Sequence, residues 1–303
     1  MLTNHNDNQK MDWDKCRVKP KKKFNLSKIK TDSGVKKVNK KSLKANLESD
    51  ILKISNLQNK LYAEDRQSLL IILQGMDSAG KDGTIKHIMR GVNPQGILVH
   101  SFKHPSTLEM EHDYLWRCTQ NLPEHGQITI FNRSHYENVL IAKVHPAIVL
   151  AERLPDVNSE DKVDKDFWKK RYKQINYFEK ENVQNGISIL KFFLHLSKKE
   201  QGKRFLERIE EREKHWKFSI DDITERGFWA EYQEAYQDAL NHTSTKISPW
   251  YVIPADDKSY AHHLIGKIIL EKLKSMNPTF PPVSKKEKAL MMEAKVKLVK
   301  ENK

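Results

Sequence analysis

Between residues 41 and 63 apolar side chains return at Leu43, Leu47, Ile51, Ile54, Leu57 and Leu61, in steps of four and three. That spacing keeps them on one face of a helix and predicts a helix packed against a body. Next comes Ser68-Leu-Leu-Ile-Ile-Leu73, a short continuous apolar run that stops at Gln74-Gly75. Its length and its glycine stop predict a strand buried on both faces. Further strands are predicted over residues 96–102, 127–131, 186–196 and 249–253. Helical patterns fall between and after them, over residues 82–90, 108–121, 134–142, 165–184, 198–214, 228–241 and 259–274. Strand and helix alternate throughout, so the expected class is α/β, one parallel sheet with helices on both faces.

Composition narrows the function. The chain has 303 residues, 38% hydrophobic and 31% charged. Its longest clean apolar run, Leu69 to Leu73, is far short of the roughly 20 residues a membrane span needs. The polar N-terminus does not look like a secretory signal. Cys16 and Cys118 are too few for a disulfide framework or a zinc site. No membrane association and a reducing, cytoplasmic setting are expected.

The net charge of +14 is concentrated at the ends. Residues 1–40 carry twelve Lys/Arg against four Asp, and residues 284–303 carry seven Lys against three Glu. The expected organisation is a basic flexible arm (1–40), one folded domain (41–280) and a Lys-rich tail (281–303). The arms are open to two readings, a polyanion contact by counterion release or a solubilising extension. With no RNA-recognition signature and no zinc spacing, nucleic acid is not the expected partner.

After the first strand the chain reads Gly75-Met-Asp-Ser-Ala-Gly80-Lys81-Asp82-Gly83-Thr84. Gly75 and Gly80-Lys81 fit G-x-x-x-x-G-K, a loop whose backbone N–H groups surround phosphate oxygens at a helix start. The expected phosphate contacts are Gly75, Ser78, Ala79, Gly80, Lys81, Asp82, Gly83 and Thr84. Asp82 stands where a magnesium-binding Ser or Thr is usual. Asp77 is the substitute ligand; its alternative is to brace the loop by a local turn bond. The predicted strand 127–131 runs into Asn132-Arg133-Ser134-His135-Tyr136-Glu137. Asn132 occupies the place of the usual acidic residue, and Glu137 can restore that charge. Arg133 offers a planar fork suited to phosphate. Ser134 and Glu137 also fit a capping box.

GMDSAGKDG, GVNPQG, SFKHPS, HDYLWR and FNRSHYE, in that order, resemble the polyphosphate kinase 2 family, and the match continues through LKFFLHLSKKEQGKRFLER, HWKFSIDD and SPWYVIPADDK. The resemblance implies a three-layer α/β/α sandwich of thymidylate-kinase type with a helical lid at about residues 198–226. It implies Mg²⁺, with Mn²⁺ as an alternative, held by Asp77 and an acidic residue after the second strand, here Glu137. Inorganic polyphosphate and adenine nucleotides, with guanine nucleotides as a wider option, are the implied partners, and a homo-oligomer is expected. N-R-S-H-Y-E is similar to the subgroup that phosphorylates both AMP and ADP. Arg204 and Lys217 match the family's cationic lid positions; Lys198, Lys199 and Arg208 are further candidates, and Asp221 or Asp222 could serve the lid base. The expected reaction is reversible phosphoryl transfer between polyphosphate and AMP or ADP, with Asp77, Lys81, Arg133 and Arg204 as the catalytic set. The rivals are an ATP-dependent nucleoside monophosphate kinase and a nucleic-acid-binding protein with a vestigial loop.

Overall fold

The structure, a computed structural model, describes residues 13–34 and 39–302. A long helix α1 (Lys40–Glu64) leads into strand β1 (Ser68–Gly75) and helix α2 (Lys81–Ile88). Strand β2 (Ile97–Ser101) is followed by two short helices, α3 (Thr107–Met110) and α4 (Trp116–Thr119), and by strand β3 (Ile128–Asn132). Helices α5 (Ile141–Val144), α6 (Ala147–Leu150) and α7 (Lys165–Gln184) precede strand β4 (Ile187–His195). The chain continues through α8 (Lys198–Glu210), α9 (Ile220–Glu225) and α10 (Trp229–Thr243) to strand β5 (Trp250–Pro254). It ends with α11 (Lys258–Met276) and α12 (Lys285–Glu301).

The strands form a single parallel sheet in the order β2-β3-β1-β4-β5. Every residue of β1 is buried, as a continuous apolar run between two helix layers requires. Alternation along the strands divides the core in two. Leu70, Ile72, Phe131, Ile189 and Phe193 pack with α7 and α10. Leu69, Ile71, Ile130, Leu190 and Phe192 pack with α1 and α11 on the other face. The predicted helix stripe is realised in α1, where Leu43, Leu47, Ile51, Ile54 and Leu61 are buried. The α/β/α expectation holds.

Local differences have local causes. The helix expected over 108–121 breaks into α3 and α4, because Asp113 accepts from the Leu115 N–H and turns the chain. The helix expected over 134–142 is a 3-10 turn, His135–Val139, followed by α5. The helix expected over 198–214 stops at Glu211, which is extended, and resumes as a 3-10 turn Arg212–Lys217; no apolar residue lies between 210 and 215 to hold an inner face.

The expected arms also differ from a loose chain where they are described. Val18 and Leu26 are buried, and the Val18 N–H donates to the Trp250 carbonyl. Asn241 and Gln237 of α10 hold the backbone at Phe24 and Leu26. Val18 and Leu26, with Trp13, Phe24 and Ile29 partly buried against the core, dock residues 13–34. The tail is helical over α12, started by a Ser284–Glu287 capping box, yet none of its residues is buried. The rest of the expected arm, residues 1–12 and 35–38, lies outside the described residues.

If the segment around Leu26 is part of the core, Leu26→Ala costs about 2–4 kcal/mol in chemical denaturation. A loss below about 0.5 kcal/mol would mark the segment as unpacked.

Candidate active site

In an open parallel sheet, ligands bind beyond the carboxyl ends of the strands. Leu73 of β1 pairs with Asn132 of β3, so the loop after β1 and the turn after β3 start at the same level. Between them and the 198–226 segment lies a cleft of about 980 Å³.

The loop after β1 has the shape that phosphate binding needs. Gly80 has φ of +103° and caps α2, so the backbone amides of the first helical turn open toward the cleft. Gly75 is tightly packed, since a Cβ would stand 3.0 Å from Ala79 Cβ and 3.2 Å from the Leu194 carbonyl and its neighbours would have to give way. Ser78 sits at φ of +63°, unusual for a residue with a side chain, and its buried hydroxyl has no hydrogen-bond partner. That hydroxyl is a ready donor inside the loop. Lys81 curls back so that Nζ donates to the Gly75 carbonyl at 2.7 Å. Burial, with the neighbouring Arg133 charge, lowers its pKa to about 8. Asp82, Gly83 and Thr84 also line the cleft, Thr84 buried with its N–H on the Gly80 carbonyl.

The turn after β3 meets this loop. Arg133, at φ of +64°, donates to Asp77 Oδ1 at 2.7 Å and lies 3.8 Å from Glu137 Oε2. Burial opposes its charge, but Glu137 and Asp77 outweigh burial and raise its pKa. Asp77 is thus braced across the cleft by Arg133, not by a local turn bond. The capping box at Ser134 does not form. Ser134 Oγ accepts from the Tyr136 N–H and from Gln74, leaving the Glu137 carboxylate to face Arg133. Asn132 Nδ2 donates to Asp82 Oδ1 at 2.7 Å, so this side chain holds the loop.

Asp77 and Glu137 supply hard carboxylate oxygens on one side of the cleft. Among the described residues no three or more His, Cys, Asp or Glu converge as a ready metal cage. Two carboxylates completed by phosphate oxygens is the arrangement magnesium commonly uses, so the donor set fits that ion. Asp222 is close enough to interact with them: burial and then Asp77 raise its pKa.

The 198–226 segment supplies the opposite wall. Arg208 lines the cleft and pairs with Asp222 at 2.8 Å. This favours Asp222 over Asp221 at the base of the segment. Lys217 lines the cleft 3.9 Å from Asp82. Lys198 and Lys199 are exposed and do not line the cleft, because the inward stripe of α8 runs through Gln201, Arg204, Phe205 and Arg208.

Arg204 lines the cleft and has a second, structural set of contacts. It is buried, and its guanidinium donates to the carbonyls of Ser78, Ala79, Ala255 and Asp256 and to Glu200. Its Nε is held by the Glu200 carboxylate and its terminal nitrogens by four carbonyls, so this cleft-lining guanidinium also braces the loop after β1. Sequence reasoning passed over Lys103, Arg117, Lys214, Trp216, Lys258 and His262, all of which line the cleft. Lys103 and Arg117 lie in the stretches SFKHPS and HDYLWR, where no spacing marks a ligand. Arg117 donates to the Lys103 carbonyl at 2.8 Å, which links the two stretches.

Two outcomes follow. Arg204→Met lowers folding stability by about 3 kcal/mol or more, as loss of one partner in a buried charged network does. Arg133→Met, on a half-exposed pair, costs about 1 kcal/mol or less; equal losses in denaturant titrations would contradict these separate jobs. Lys81 is a cation below about pH 8 and increasingly neutral above it. Tripolyphosphate affinity, measured by calorimetry on the ligand-free protein, therefore falls as pH rises through 8, and the Lys81→Met variant lacks that step. A wild-type profile flat from pH 7 to 9 would remove Lys81 from the phosphate site.

Comparison with known proteins bears on this geometry. The family profile described as polyphosphate kinase 2 (PPK2) matches residues 37–281. An ADP-polyphosphate phosphotransferase of Rhodopseudomonas palustris is 48% identical over 84% of this chain and 87% of its own length. An AMP/ADP-polyphosphate phosphotransferase of Meiothermus ruber is 42% identical over 79% of this chain and 84% of its own. The crystal structure of polyphosphate kinase 2 from Arthrobacter aurescens TC1 superposes with a TM-score of 0.81 at 36% identity, covering 92% of this chain and 95% of that one. A family match over residues 37–281 and relatives 42–48% identical across most of the chain agree: the chain belongs to the polyphosphate kinase 2 family.

Proposed function

We propose that the protein transfers phosphoryl groups between inorganic polyphosphate and AMP or ADP, forming ADP or ATP, with Mg²⁺ as cofactor. The observation that carries this reading is the Arg133–Asp77 contact of 2.7 Å, which places a guanidinium fork and two carboxylates against the phosphate loop. The terminal phosphate oxygen of a nucleotide is already anionic, so the site needs no strong base. In-line positioning and charge neutralisation supply the rate.

The loop amides and Lys81 hold one set of phosphate oxygens. Arg133 reaches the transferred group, and Lys217 and Arg208 approach from the opposite wall. Asp77 and Glu137 are the residues that would hold Mg²⁺, which neutralises phosphate charge when bound. Nine Lys/Arg against five Asp/Glu line the cleft, a surplus suited to a chain of phosphates. Glu137, the acidic residue of N-R-S-H-Y-E, supports the reading that AMP is an acceptor as well as ADP. The exchange is between phosphoanhydrides of similar energy, so it runs in both directions.

An assay with polyphosphate, Mg²⁺ and AMP, and no ATP, tests the reading directly: ADP and then ATP form. Absence of product there, with product when ATP replaces polyphosphate, would favour an ordinary nucleoside monophosphate kinase. In the same assay Lys81→Ala and Asp77→Asn lower turnover by about 10²–10³ while leaving the fold intact. Glu137→Ala impairs AMP use more than ADP use; equal losses on the two acceptors would argue against a role in AMP recognition.

A further inference from the structure

Tyr136 sits between Arg133 and Glu137 in sequence, but its side chain turns away from the cleft into the core. It is fully buried, and its hydroxyl donates to Glu179 Oε1 of α7 at 2.6 Å. Glu179 Oε2 takes Lys191 Nζ of β4 at 2.6 Å and the Ser248 hydroxyl at 2.8 Å. Lys191 also donates to Tyr136 Oη at 2.9 Å and to the Thr243 carbonyl at 2.8 Å, so three acceptors surround its ammonium group. The Trp250 ring meets the Tyr136 ring edge-on at 4.6 Å. Tyr136 of the turn after β3, Lys191 of β4 and Ser248 just before β5 thus converge on the Glu179 carboxylate of α7.

Lys191 is the only charged residue within β4, in ISILKFFLH, and it is fully buried. A buried ion pair is weak evidence for stability, since apolar side chains of similar size often do as well. Its position offers a reason of another kind. Arg133 is held in a left-handed backbone conformation that a residue with a side chain adopts at a cost. Such a conformation persists only if its surroundings fix it; Ser134 and His135 are buried in that turn too, Ser134 accepting from Gln74, and Tyr136 carries the anchor furthest, to α7 and β4.

We propose that the Glu179–Lys191–Tyr136 network is a positioning element that locks the turn after β3 so that Arg133 and Glu137 face the phosphate loop. None of the three touches the cleft. They act through the backbone of residues 132–137. The assignment rests on the phosphotransfer reading for the reaction it serves, and on the geometry alone for the turn it holds.

Tyr136→Phe removes only the hydroxyl, leaving Glu179 paired with Lys191 and Ser248. The expected result is a folded protein whose kcat falls at least about tenfold, while KM for AMP and for polyphosphate stays within about threefold. Hydrogen exchange rises in residues 132–140 and not in α1 or α11. Ile268→Val, a small loss in the opposite layer, keeps wild-type kcat and wild-type exchange in that turn. If Tyr136→Phe is poorly folded, Ser248→Ala weakens the same carboxylate more gently and gives a smaller change of the same kind at the same residues. Wild-type kcat and exchange in folded Tyr136→Phe would overturn the proposal, as would an equal kcat loss in Ile268→Val. Should the wild-type protein use ATP and not polyphosphate as donor, the function proposed above fails. The same variants compared with ATP, together with the exchange data, then still decide the positioning role.

Discussion

The level pairing of β1 with β3 is the constraint on which the site depends. Leu73 opposite Asn132 brings two sequence stretches more than fifty residues apart to one edge of the sheet. A shift of that register would carry the Asp77 loop and the Arg133 turn past each other, and their 2.7 Å contact could not form. Both strands are buried on two faces, which ties the register to core packing and protects it from solvent. The chemistry therefore inherits its precision from apolar contacts well below it.

The cations around the cleft divide by what they already hold. Arg204 and Arg117 spend their donors on backbone carbonyls and thereby fix loops. Arg133 and Lys217 are instead paired with the cleft carboxylates Asp77 and Asp82. Charge in such a site does two jobs at once, shaping the backbone and meeting the ligand, and burial tells them apart. Lys81 stands between the two groups. It is buried against two carbonyls yet remains at the mouth of the loop, and desolvation lowers its pKa as a result.

The sheet was legible because SLLIIL and ISILKFFLH are apolar for longer than a one-sided strand allows. The tight strand-to-helix loop was legible from Gly75, Gly80 and Lys81, since glycines at that spacing suit such a turn. Arg204 was legible as a cation but not as a brace, because carbonyls that will receive it leave no trace in the sequence. Lys103 and Arg117 carried no signal beyond their stretches, whose meaning depends on two loops meeting in space. The docking of residues 13–34 was hidden by the lysines around Val18 and Leu26. Lys191 was the one internal signal left unread: a charge inside a nine-residue strand needs a buried partner, and the strand itself cannot say that the partner lies on α7.

Helix α12 differs from every other long helix here in having nothing buried along its length. Its order comes from its own capping box and backbone bonds, and so does its free energy. Short-range order of that kind is not coupled to the collapse of the sheet, and helices of this length are marginal in water on their own. Heating or denaturant should therefore fray this terminal segment gradually, ahead of and independently from the single cooperative unfolding of the body.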